Sequence, residues 1–193
     1  IDDKWDFKVL KDKSFILLNG DGYYHFNRKG KLRYKIQGLY EVAAFAVDSN
    51  DNIFVFTSGY DDAGIYIYTP QGKLIKHIPK HHSNDGNFDF PRAATISPDN
   101  QIYLLEEVKK VEVYTREGKR TRIINLPFYA EDIDFIDNGN IIVRLNNGFL
   151  IVDTNFNVLE SYREGPYRGP TNIIKSSQGE YFINNSFEHS IFK

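Results

Sequence analysis

Short runs of alternating apolar and polar residues, separated by clusters of Gly, Asn, Asp and Ser, recur along the whole chain. Alternation of period two marks half-buried strands, and no stretch carries a convincing 3.6-residue helical period. The runs also repeat at long range. Trp5 to Ile36 aligns without a gap on Glu131 to Tyr162, an offset of 126 residues or three units of 42. Two more copies lie between them, Ala43 to Ile78 and Arg92 to Ile124, and a fifth begins at Thr171. Each copy reads as four strands, a to d, which in the second are Phe45 to Asp48, Ile53 to Phe56, Ile65 to Tyr68 and Leu74 to Ile78. Four short strands per unit of about 40 residues predict an all-β propeller of four-stranded blades. The blades fall at about 5–38, 43–79, 92–127 and 131–165, with an incomplete one over 171–193, all in one domain.

The turns carry the same period. The c-to-d connections NRKGK (Asn27 to Lys31), TPQGK (Thr69 to Lys73) and TREGK (Thr115 to Lys119) place Gly at one fixed position. Such a Gly supplies the positive φ that closes a short hairpin with a bulge. The fourth copy has Phe156 at that place, so its turn is expected to shift onto Asn155 or Asn157, which tolerate the left-handed region better.

The third copy resembles an NHL repeat in the spacing of Gly86 to Pro91 (GNFDFP), AATISPDNQIYLLEE and VEVYTREGK. It departs from that family at Ala93, Ala94 and Glu106. The resemblance implies a propeller similar to the six-bladed bacterial ones and implies no particular activity. Four complete copies and a partial fifth leave closure open: a piece of a larger, six-bladed ring, an open arc, or a ring completed by partner chains. Exposed apolar blade faces would aggregate, which favours the first. A chain that opens on Ile1 and contains no Met also reads as a processed protein or a fragment.

Composition narrows the function classes. Lys and Arg number 24 against 26 Asp and Glu, a net charge of −2, so no field recruits nucleic acid or an anionic membrane. No apolar stretch approaches the length of a membrane-spanning helix, so no membrane insertion is expected. With no Cys, disulfides and thiolate metal sites are excluded. That absence and the Asn- and Tyr-rich texture, which resembles extracytoplasmic bacterial propellers, favour periplasm or cell surface over cytoplasm.

Following the strands up and down puts the short, constant a-to-b and c-to-d turns on one face. The b-to-c and d-to-a loops, which carry the insertions, lie on the other. Loops on a rigid scaffold are where recognition is built, so the loop-rich face is the expected ligand surface. Tyr60, Tyr129, Tyr167 and Phe187 would supply contact area there, with Arg92, Arg144, Arg163 and Arg168 as donors to carboxylates or carbonyls.

Catalytic readings are weaker. Asp6, Glu131, Asp132 and Asn172 occupy matching places at the starts of inner strands, where oxygen ligands from several blades would hold a divalent cation as in lactonase-like propellers. The second and third copies offer Ala43, Ala44, Arg92 and Ala93 there, so the ring is incomplete and a hydrated polar rim is favoured. His81 and His82, near His77 and Asp85, fit no metal-ligand spacing and read as a solvated loop. Ser14, Ser58 and Ser190 read as exposed loop serines without a nucleophile-elbow context. Lys109, Lys110 and the Lys119 to Arg122 cluster read as a solvated strand edge. The sequence therefore predicts a non-enzymatic scaffold without a required cofactor that binds protein, peptide or glycan. The alternatives are a metal-dependent propeller lyase or lactonase and a structural subunit completed by partners.

Overall fold

A computed structural model of the chain describes residues 6–19, 22–39, 41–58, 63–79, 91–136 and 139–162, together with the strand backbone of 170–175, 181–185 and 190–192. It is all-β, with no helix among the described residues. Blade 1 is β1 (Asp6–Val9), β2 (Phe15–Asn19), β3 (Gly22–Phe26) and β4 (Leu32–Gln37). Blade 2 is β5 (Val42–Val47), β6 (Ile53–Thr57), β7 (Gly64–Tyr68) and β8 (Leu74–Pro79). Blade 3 is β9 (Pro91–Ile96), β10 (Ile102–Glu106), β11 (Lys110–Tyr114) and β12 (Arg120–Asn125), and blade 4 is β13 (Asp132–Phe135), β14 (Ile141–Leu145), β15 (Gly148–Val152) and β16 (Val158–Tyr162). A fifth sheet has three strands, β17 (Pro170–Lys175), β18 (Tyr181–Asn185) and β19 (Ser190–Phe192). Every sheet is an antiparallel meander, and the first strands of blades 2, 3 and 4 lie side by side as the innermost layer of a propeller.

Second strands are buried from end to end in β6 and β10, because each sheet packs a neighbour on both faces. Fourth strands form the rim, and β16 is exposed throughout. One core layer lies between blades 1 and 2, built on Ile16, Tyr23, Phe45 and Val55. A second lies between blades 2 and 3, built on Phe54, Phe56, Ile102 and Leu104, and a third between blades 3 and 4, built on Leu105, Val113, Val143 and Phe156.

Turn chemistry follows the repeat. Gly30, Gly72 and Gly118 take φ of 78°, 82° and 90°, and in each of the four blades the register slips just before the final pair of the c-to-d hairpin. Blade 4 corrects the expectation of a shifted turn. Phe156 itself adopts φ 62°, donates its N–H to the Asp153 carbonyl at 2.9 Å, and is only 4% exposed. A Cβ at Gly118 would meet Ile78 Cγ2 at 2.5 Å, and one at Gly72 would meet the Tyr34 ring at 2.6 Å. In blades 2 and 3 that interblade space is filled from the preceding blade. In blade 4 the turn's own Phe156 enters the core, and its burial offsets the left-handed strain.

The interblade layers also hold charge. Glu106 and Glu112 lie buried at 0% and 1% exposure. Lys110 Nζ reaches them at 3.1 and 3.2 Å, Arg120 reaches Glu112 at 3.3 Å, and the Tyr114 hydroxyl donates to Glu112. Burial alone would lower the Lys110 pKa, but the two carboxylates outweigh it and hold it raised. Arg122 donates at 2.8 Å to Asn155 Oδ1 and to the Thr154 carbonyl in the next blade. Lys110 and Arg120 thus neutralise buried carboxylates within blade 3 and Arg122 fastens that blade to blade 4, so these residues are not a solvated edge.

Ser14 is likewise not exposed: it is fully buried in blade 1. Its hydroxyl donates to Asp12 and stands 2.8 Å from His25 Nε2. Since the single serine proton goes to Asp12, Nε2 must carry the imidazole proton. Nδ1 is then a buried lone pair without a hydrogen-bond partner among the described residues. Burial, reinforced by Arg33, lowers the His25 pKa below 6.5.

Two predictions follow from these interblade residues. Phe156→Ala should lose about 3 kcal/mol of stability, because it empties a core site and keeps the strain. Phe156→Gly should lose roughly 1 kcal/mol less, because it relieves the left-handed backbone; urea midpoints in the opposite order would contradict this account. Because the folded pKa of His25 is depressed, its contribution is complete above pH 6.5 and declines as pH falls from there toward the folded value. Melting temperatures between pH 7 and about pH 5 should therefore fall more steeply in the parent than in His25→Gln.

Candidate functional site

Two places gather chemistry-bearing side chains, the axis and a cleft on the loop-rich face. At the axis, β1, β5, β9 and β13 bring Lys8, Ala46, Thr95 and Asp134 to equivalent positions, each one residue before the strand end. Lys8 Nζ binds Asp134 at 2.6 Å across the channel, and Thr95 Oγ1 donates to the same carboxylate at 2.7 Å. Asp6 and Asp132 turn back on their own strands, accepting the N–H of Phe7 at 2.8 Å and of Ile133 at 2.9 Å. Burial would lower the Lys8 pKa, but Asp134, Asp132 and Asp6 together raise it, so the ammonium stays charged. A cavity of about 580 Å³ opens beside it, lined by Lys8, Lys11, Asp48, Thr95 and Asp134.

This arrangement bears on the cation site expected from Asp6, Asp132 and Asn172. Among the described residues no three His, Asp or Glu side chains are grouped to hold a metal ion, and both carboxylates act on the Lys8 ammonium. Of Asn172, only the strand backbone is described. Glu131, expected on the same ring, instead pairs with Arg92.

The cleft is built by the connection from blade 3 to blade 4. Leu126, Phe128 and Ala130 are buried at 5%, 9% and 0%, so alternation turns Tyr129 outward, where it is 63% exposed. The loop is pinned by its backbone: Leu126 N–H donates to the Lys109 carbonyl at 2.7 Å, Ala130 to Val108 at 2.8 Å and Glu131 to Arg144 at 2.8 Å. Opposite stands the tight β14–β15 hairpin, with Asn146 and Asn147 at its tip between the paired Leu145 and Gly148. The space between is about 600 Å³, lined by Phe128, Tyr129, Glu131, Leu145 and the two asparagines. Arg92 forms an ion pair with Glu131, whose backbone carbonyl receives Arg144 Nη2 at 3.4 Å. Lys109 Nζ sits 4.1 Å from the centre of the Tyr129 ring, a cation–π contact.

Three of the predicted ligand residues, Arg92, Tyr129 and Arg144, are therefore gathered around this connection. Tyr60, Arg163, Tyr167, Arg168 and Phe187 lie outside the described residues, as do His81, His82 and Asp85. Sequence reasoning missed Asn146, Asn147 and Lys109. The available signal was the two-residue Asn-Asn hairpin tip, which is too short to stand out as an insertion.

The asparagines differ from the polar turn residues on the opposite face. There Asn27, Asp48, Thr69, Thr115 and Asp153 each accept two backbone N–H bonds and close their turns. The side chains of Asn146 and Asn147 and the Tyr129 hydroxyl make no hydrogen bond to described residues, and the only partner of Lys109 Nζ there is the Tyr129 ring.

Fold and axis together define a β-propeller. No protein-family model matches the chain, and no curated protein does. Solved structures do. A protein of unknown function from Bacteroides caccae aligns with a TM-score of 0.72 at 14% identity, covering 94% of this chain and 71% of that one. Virginiamycin B lyase from Staphylococcus aureus aligns at 0.65 and 15%, covering 98% and 69%. The extracellular domain assigned to a hybrid two component system of B. thetaiotaomicron aligns at 0.58 and 17%, covering 96% and 27%. At these identities the likeness establishes the propeller fold and carries no activity across.

The axis yields a prediction. Lys8→Met removes the cation shared by Asp134, Asp132 and Asp6, and should lower stability by about 1 kcal/mol, more at low salt. Adding Asp134→Asn should restore part of the loss. An unfolding series in which the double variant is no more stable than Lys8→Met would show that the ion pair does not hold blades 1 and 4 together.

Proposed function

We propose that this propeller is a non-enzymatic binding module that captures a protein, peptide or glycan ligand in the cleft between the blade 3 to blade 4 connection and the Asn146–Asn147 hairpin. The observation that carries the reading is the uncommitted state of Tyr129, Asn146 and Asn147 on a backbone whose own hydrogen bonds are met. Exposed polar and aromatic groups held on rigid supports bind at low ordering cost, because the loop need not fold around its ligand. A cleft of about 600 Å³ falls in the size range of ligand sites. Arg92 and Arg144 stand behind Glu131, the one pairing with its carboxylate and the other donating to its carbonyl.

A location outside the cytoplasm suits this role. The lack of Cys removes any dependence on a reducing compartment, and no described helix is long and apolar enough to cross a membrane. The similarity to an extracellular domain points the same way.

Screening on glycan and peptide arrays, with Tyr129→Ala run in parallel, tests the proposal. Ligands of the parent protein should weaken by about tenfold or more in Tyr129→Ala, in line with the loss of a central aromatic contact. Arg33→Ala, on the turn face, should leave them unchanged. Binding that survives Tyr129→Ala intact would place recognition elsewhere.

A further inference from the structure

We infer that the cleft takes an acidic sugar chain, one whose ring carries a carboxylate beside its hydroxyls. The inference rests on the reading of this cleft as the binding site and names the chemistry it selects.

The groups left uncommitted are two amides, one phenol with an exposed ring, and one ammonium. A side-chain amide offers a donor and an acceptor at once, which is what a sugar hydroxyl requires, since it must both give and receive. Two neighbouring amides at a hairpin tip match the adjacent hydroxyls of a pyranose ring. An exposed aromatic ring with a polar tip suits the flat C–H face of the same ring, burying apolar area while its hydroxyl stays wet. Lys109 adds charge. Its ammonium touches the Tyr129 ring and has no carboxylate partner among the described residues, so a ligand carboxylate would complete it.

A peptide fits less well. Main-chain recognition needs free N–H and C=O groups along an edge or loop. Here the N–H groups of Leu126, Ala130 and Glu131, and the carbonyls of Val108, Lys109 and Arg144 opposite them, are bonded to each other. What remains is side-chain recognition of hydroxyl and carboxylate, through groups already held in place.

Titration calorimetry with three probes tests this: an oligogalacturonate, a neutral galacto-oligosaccharide of similar length, and a poly-glutamate peptide. The oligogalacturonate should bind at least about tenfold more tightly than the neutral sugar, the worth of one charge-assisted contact. Lys109→Gln should erase that difference, Lys109→Arg should keep it, and Asn147→Ala should weaken both sugars. Neutral sugar binding as well as the uronate, or a preference untouched by Lys109→Gln, overturns the acidic-sugar assignment. Poly-glutamate binding that is lost in Tyr129→Ala also overturns it, yet leaves the cleft as the binding site. Any array ligand whose binding ignores Tyr129→Ala, with all three probes inert, overturns the assignment and the site together.

Discussion

Burial of both sheet faces, complete along the second strands of blades 2 and 3, is the constraint on which the rest of this structure depends. A four-stranded sheet alone cannot hide its apolar residues, so each blade needs its neighbours, and whatever lies between two blades must be apolar or fully paired. Phe54, Phe56 and Leu104 meet the first condition, Glu112 with Lys110, Arg120 and Tyr114 the second. His25 meets it only in part, through Ser14, and its lowered pKa is the electrostatic expression of that half-satisfied burial.

The same constraint separates the two faces of the propeller. On the turn face the hairpins must be tight for the blades to pack, so the polar side chains there are spent closing turns, as Asp48 and Asp153 are. The connection into blade 4 is fixed differently, by buried Leu126, Phe128 and Ala130 and by backbone bonds to residues 108 and 109. Its outward Tyr129 hydroxyl closes no turn. Tyr129 is free to face solvent because the residues on either side of it anchor the loop.

Much of the fold was legible in the chain because it is written locally. The offset of 126 residues separates β1 from β13 and β2 from β14 in the structure, and the NRKGK, TPQGK and TREGK turns close as their Gly positions imply. What was not legible depends on side-chain placement and packing that no local pattern records. Phe156 at a glycine position looked like a displaced turn, since nothing local reveals the pocket that receives its ring. Ser14 looked exposed because its neighbours Asp12 and Lys13 are turn formers, while its partner His25 is on the next strand but one. Lys110 and Arg120 looked like a solvated edge for the same reason. Tyr129, Arg92 and Arg144, expected on the loop-rich face, lie around the connection into blade 4, whereas the Asn146–Asn147 tip did not stand out because what stands opposite it is distant in sequence.

The axis shows why a repeat must diverge where its copies meet. Equivalent positions in successive blades are kept apart by the bulk of each sheet everywhere except at the centre, where they face one another. Identical carboxylates converging there would repel unless a metal ion bound them, and such a ring needs like residues in most blades. In the four complete blades one such position reads Lys8, Ala46, Thr95 and Asp134, so that a cation, two small residues and an anion converge and the two charges pair. With Lys8 fixed on Asp134 in the channel, the acidic residues Asp6 and Asp132 gain a protein counter-charge, and a bound cation would have to displace it. Positions that the repeat makes equivalent are thus made complementary where they face one another, a constraint that the outward loops, where copies never meet, do not share.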